Sequence, residues 1–313
     1  MNDSTVVQFI VIAIAAGTPL VFASVGEVVS QRSGVMNLGL EGLLLIGAVT
    51  GYWADVQTGS AWLGVLVAAL AAMLLASLHA FLSISLRANQ IVSGVALVIV
   101  GTGLSELIGS AGATPLTTRH ASGSFGPVLH GGPANWPLVG PILFGHDVLV
   151  YLSWAFTAAV AFYLFRTRAG LAARSVGEDA ASADAAGVAV SRTRYLHVLL
   201  GGAAAGVGGA YLTLALFNAW QDNLSAGQGW IAFAIVIFCR WRPGLALLAA
   251  YLFGAVTSIG FKLQLFDLHV PSQILAMLPF VLTLVALVGM SLTRRGASAE
   301  PGSLGEPYWR EQR

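Results

Sequence analysis

The chain has 313 residues, 57% of them hydrophobic and 9% charged, with a mean hydropathy of +0.80 and a net charge of +1. A soluble domain spends about 25% of its residues on charge, so this composition excludes a soluble enzyme and a disordered chain. A net charge so near zero leaves no electrostatic footprint for nucleic acid. One cysteine, Cys239, excludes an internal disulfide framework and a cysteine-based metal cluster. What remains is an all-α polytopic membrane bundle.

A helical crossing takes about 20 mostly apolar residues. In chain order, the candidate spans are Thr5–Gly26, Gly42–Ala54 (with a polar lead-in from Gly34), Leu63–Leu86 and Ala88–Ser105. They continue with Val148–Phe165, Tyr195–Gln221, Asn223–Cys239, Pro243–Phe261 and Leu268–Thr293. That gives nine spans, within a range of eight to ten. Thr5–Gly26 has no basic residues before it and is expected to be a first span rather than a signal peptide. Residues 1–296 form one transmembrane domain, and 297–313 a polar cytoplasmic tail expected to be poorly ordered.

Positive charge orients the bundle. With the N-terminus outside and the C-terminus cytoplasmic, only Arg119 and Lys262 fall outside; every other basic side chain lies within. The second and seventh segments are the awkward ones. Residues 33–42 mix polar groups and glycines, and only Trp230–Cys239 separate Gly229 from Arg240. Interrupted segments in the two halves of a transporter point to broken helices and an inverted repeat.

Two connections stand out. Residues 110–146 are a Gly- and Pro-rich external loop. Residues 166–194 are a cytoplasmic loop in which Glu178 and Asp179 precede an Ala-rich run that Gly187 ends, as expected of a short helix with acidic groups at its positive end. Gly201, Gly202, Gly206, Gly208 and Gly209 suit close helix packing, and Trp220, Trp230 and Trp241 suit an aromatic belt. His79 is expected to be a packed histidine. No histidine spacing suits a metal site.

Glu27 and Glu41 flank the first cytoplasmic turn. They either line the mouth of a path or tie the broken second segment, in which Asn37 and Glu41 would share a helix face. Asn89, Gln90 and Ser93 open the fourth span, either as solute-reading amides and hydroxyl or as glue between helices. A translocation path would thus use Asn37, Glu41, Asn89, Gln90 and Ser93. No constellation for catalysis is present, and the chain lacks a Gly-x-x-x-x-Gly-Lys-Ser/Thr phosphate loop.

Four blocks, Ser33–Gly42, Arg87–Gly94, Arg174–Gly187 and Gly229–Pro243, carry a resemblance to the permease subunits of bacterial ABC importers for branched-chain amino acids, simple sugars and nucleosides. The similarity runs from Pro19 to Leu292. Within that family the chain resembles the shorter permease of nucleoside or simple-sugar systems, down to the ending Gly305–Trp309. The resemblance implies a multi-pass subunit of the bacterial inner membrane with no bound cofactor and no ATPase activity of its own. Its implied partners are two ATP-binding cassette subunits that hold ATP and Mg, a second permease (a different chain rather than a second copy) and an extracytoplasmic solute-binding protein. Residues 177–187 would be the coupling helix, with Arg174, Gly177, Glu178, Asp179, Asp184 and Gly187 at the contact. Asp179-Ala180 stands where many relatives carry Asn-Pro, and Cys239 where many carry glycine. The rival is a secondary transporter driven by an ion gradient through Glu27, Glu41 or Glu106.

Overall fold

The structure is a computed structural model that describes residues 3–111, 115–121, 123–129, 136, 138–265, 271–292 and 300–310. Among these residues it is helical, with no strand. The helices are α1 (Asp3–Gln31), α2 (Leu40–Thr58), α3 (Ala61–Ala80), α4 (Gln90–Ser110), α5 (Val139–Phe144) and α6 (Val148–Arg166). They continue as α7 (Arg168–Glu178), α8 (Ala180–Ala185), α9 (Val190–Tyr211), α10 (Gln228–Phe238), α11 (Pro243–Leu265) and α12 (Ser272–Leu292). Helices α3 and α9 each end in a π turn, Phe81–Ser85 and Leu212–Leu216.

Each expected segment carries a helix. Five of them, Val6–Gln31, Ala61–Ser85, Gln90–Ser110, Val148–Arg166 and Val190–Leu216, are long and apolar enough to cross a membrane, and shorter apolar helices follow from Gln228 onward. Their outward faces are greasy. Leu66, Leu70, Leu74 and Leu78 form an exposed stripe at helical spacing on α3, and Ile91, Val95, Ile99 and Leu107 are exposed on α4. In water such patches would aggregate; in lipid they are the solvent-facing surface.

Helix α2 is the axis of the bundle, with every residue from Leu40 to Val49 buried. Helix α9 packs against α1, α2 and α3 through its glycines. A Cβ on Gly206 would lie 2.4 Å from the Ala68 carbonyl oxygen, and one on Gly209 would lie 2.1 Å from that of Leu44. Backbones this close need small residues, as the glycine patch suggested.

Three expectations need correction. Trp220 and Trp241 are not belt anchors. Both are buried, Trp220 against Gly109 and Trp241 with its indole N–H donated to Gln31 at 2.7 Å. The 166–194 loop holds two helices, because Arg168–Glu178 is helical as well. The tail is ordered over 300–310, where Ser303 and Gly305 donate backbone hydrogen bonds to Gly177 and Gly34.

Candidate functional site

Both anticipated breaks are present. Between α1 and α2 the chain leaves the helix from Arg32 to Gly39, and between α9 and α10 from Phe217 to Gly227. Leaving a helix strands backbone N–H and C=O groups, which must be satisfied internally in a bilayer. Side chains from distant elements supply the partners. The Glu27 carboxylate accepts from the Asn37 amide at 2.9 Å and from Gln31 Nε2 at 2.8 Å. Gln90 Oε1 accepts from the Met36 amide at 2.7 Å, and His79 Nε2 pairs with the Met36 carbonyl at 3.1 Å. His79 Nδ1 in turn pairs with Ser93 Oγ at 2.8 Å, so this histidine is buried and satisfied on both nitrogens.

The two breaks meet at Glu41. Its buried carboxylate accepts from Ser225 Oγ at 2.5 Å, the Gly227 amide at 2.8 Å and the Gly229 amide at 2.6 Å. The Glu41 side chain thus caps the N-terminus of α10, where the helix leaves amides without intrahelical partners. The approach is close enough to require glycine. A Cβ on Gly229 would lie 2.3 Å from the Glu41 backbone nitrogen and 2.4 Å from its Cα. Helix α10 is 11 residues long and rises about 16 Å, against a hydrocarbon core of roughly 30 Å.

Of the residues anticipated for the path, Asn37, Glu41, Gln90 and Ser93 gather around these breaks, all buried. Asn37 and Glu41 do not share a helix face. Helix α2 starts only at Leu40, and Asn37 Oδ1 instead accepts from the Gly39 amide at 2.8 Å, closing the turn that precedes it. Asn89 is exposed and caps α4, accepting from the Ile91 and Val92 amides. Because Gln90 Oε1 is committed to Met36, its orientation is fixed and its Nε2 is a buried donor with no partner.

The 166–194 loop forms a second cluster. Helix α7 ends at Glu178, and Asp179, in extended conformation, caps α8 by accepting from the Ala181 and Ser182 amides and the Ser182 hydroxyl. Those bonds hold its carboxyl below the ordinary value. Gly187, at φ +87°, lies just past the end of α8, the left-handed conformation that glycine adopts at helix ends. Glu178 pairs with Arg32 at 3.8 Å, and a Cβ on Gly177 would lie 2.3 Å from the Arg32 carbonyl oxygen. Arg174 faces inward, its Nε donating to the Leu164 carbonyl at 2.9 Å, and Asp184 pairs with Arg310 at 3.2 Å. Several partners in both clusters were not singled out from the sequence: Gln31, Ser225, Gly227 and the tail.

Lipid-facing helices around a broken-helix core with a polar elbow define a multi-pass transport protein of the membrane. The chain belongs to the branched-chain amino acid transport system permease family, whose profile matches residues 9–287. It is 36% identical over 307 residues to a nucleoside ABC transporter permease protein of Lactococcus lactis, covering 92% of this chain and 93% of that one. It is 34% identical over 330 aligned positions to a guanosine ABC transporter permease protein of Bacillus subtilis, covering 98% and 99%. A Haloferax volcanii protein, whose name assigns it provisionally to the glucose ABC transporter permeases, is 41% identical over 251 residues, covering 80% and 76%. No solved structure matches the chain significantly. As a permease subunit of the inner membrane, the chain is a transport protein and not itself an enzyme.

Proposed function

We propose that the chain forms half of the translocation path of an ATP-driven importer for a neutral polar solute, a nucleoside or simple sugar, paired with a second, different permease. An extracytoplasmic binding protein delivers the solute, and two ATP-binding subunits on the cytoplasmic side supply the energy. The N-terminus lies outside and the tail inside. Helix α8 is the contact for an ATP-binding subunit, with Gly177, Glu178, Asp179, Asp184 and Gly187 shaping it and Arg174 anchoring α7 beneath.

The observation that carries this reading is the contact between the two clusters. Gly177 and Glu178 lie directly on Arg32–Gly34, the start of the break that leads to Glu41. A push on α8 therefore reaches the broken segment without crossing the bundle. Residues 32–39 and the N-terminus of α10 are the moving wall of the path, and Asn37, Glu41, Asn89, Gln90 and Ser93 line or hinge it. When the wall opens, the free Gln90 amide donor can meet a solute hydroxyl or a base edge. No charged pocket is needed for a neutral solute, which accords with relatives named for nucleosides, guanosine and glucose.

Uptake into proteoliposomes tests the proposal. With the co-expressed ATP-binding subunits, solute should accumulate only when ATP is supplied on their side. Accumulation that persists without ATP and collapses with an uncoupler would instead establish the ion-driven rival.

A further inference from the structure

Helix α8 has only six residues, and isolated helices shorter than about 12–15 residues are marginal. It hangs between an extended residue, Asp179, and a left-handed glycine, Gly187. Pushed by a partner, such an element would bend at these two joints and dissipate the motion. Something must stiffen it.

The C-terminal segment is placed to do so. Ser303 donates its amide to the Gly177 carbonyl at 2.8 Å, and its hydroxyl accepts from the Ala180 amide at 3.3 Å, spanning the α7–α8 joint. Two residues on, Gly305 donates to the Gly34 carbonyl at 3.2 Å. Tyr308 packs on the apolar cluster of Val176, Ala180, Ala183 and Val190 that seats α8. The buried guanidinium of Arg194 on α9 donates to the Glu306 carbonyl at 3.0 Å, and Arg87, in the turn before α4, stacks 4.1 Å from the Trp309 ring. Arg310 on Asp184 adds little, because an ion pair with one partner 81% exposed is screened. The hold comes from the backbone bonds and the apolar seat.

We propose that residues 301–310 are a positioning element for coupling: a strap that locks α8 to α7 and both to the Gly34 turn, so that displacement of α8 is delivered to the broken segment. This rests on the proposed role of α8. In the reconstituted complex with its ATP-binding subunits, a chain ended after residue 300 should keep hydrolysing ATP. The solute moved per ATP should fall roughly fivefold or more, the low end of common coupling strengths. Hydrogen exchange at the amides of 180–186 should quicken. The double variant Tyr308→Ala, Trp309→Ala leaves the backbone bonds in place and should give a smaller change of the same kind; it carries the test if the shortened chain does not assemble. An unchanged ratio, or unchanged exchange, in the variants that assemble overturns the strap. Glu178→Arg separates the two ideas. If it uncouples while the tail variants do not, only the strap is lost; if it too leaves coupling intact, the role of α8 falls with it.

Discussion

Replacing Glu41 with alanine should unfasten the two broken segments from each other. The substitution removes the acceptor for Ser225 Oγ and for the Gly227 and Gly229 amides. The serine hydroxyl can rotate to another acceptor, but the two amides cannot. A buried donor left without a partner costs about 1–3 kcal/mol, so the pair sets a range of about 2–6 kcal/mol. Hydrogen bonds inside membranes average nearer 0.6 kcal/mol, because the unfolded reference also finds partners; the low end, about 2 kcal/mol, is therefore the expectation. Glu41→Gln retains one acceptor oxygen and should fall between wild type and Glu41→Ala. The assay is thermal melting of the purified protein in detergent, with hydrogen exchange at residues 227–231 as the local readout. Melting and exchange in Glu41→Ala indistinguishable from wild type would refute the view that this carboxylate joins the breaks.

Gly229→Ala forces a Cβ to within 2.4 Å of Glu41 backbone atoms. Overpacking of this kind costs about 1–3 kcal/mol, so melting should drop to a similar degree. Glu178→Arg sets a positive charge against Arg32, 3.8 Å away in the native pair, and Gly187→Pro demands a negative φ where the chain has +87°. Both should separate ATP hydrolysis from uptake while leaving membrane insertion intact, which a paired hydrolysis and uptake assay measures; normal uptake in both would remove the coupling role. The Asp179 cap should be insensitive to pH in the physiological range. Its carboxyl titrates below the ordinary 3.8, so the cap's stabilisation is present above that value and is lost only as pH falls through the depressed one. Exchange at the α8 amides, corrected for intrinsic rates, should therefore stay flat from about pH 5 to 8.

The spanning helices were legible because they are apolar runs, and the breaks because Gly34–Gly39 and Asn218–Gly227 interrupt such runs with polar residues and glycines. The Glu41 junction was not. Its partners lie 184 to 188 positions away, and no local pattern links a glutamate to amides that only folding exposes. The same holds for Trp241, whose indole meets Gln31 across 210 positions, so the expected belt anchor is a core residue. The tail is polar enough to look disordered, and its ordered seat comes from groups distant in sequence, among them the carbonyls of Gly34, Gly177 and Glu178 and the Arg194 guanidinium. Helix α7 was hidden by its arginines, which fit a cytoplasmic loop as well as a helix.

Sidedness of the elbow tests the account most directly. A single reporter, Ser182→Cys in a Cys239→Ser background, lies on the exposed face of α8. The account predicts labelling by an impermeant thiol reagent in inside-out vesicles and none in intact cells, with the labelled site shielded once the ATP-binding subunits are bound. Labelling from outside intact cells would contradict it.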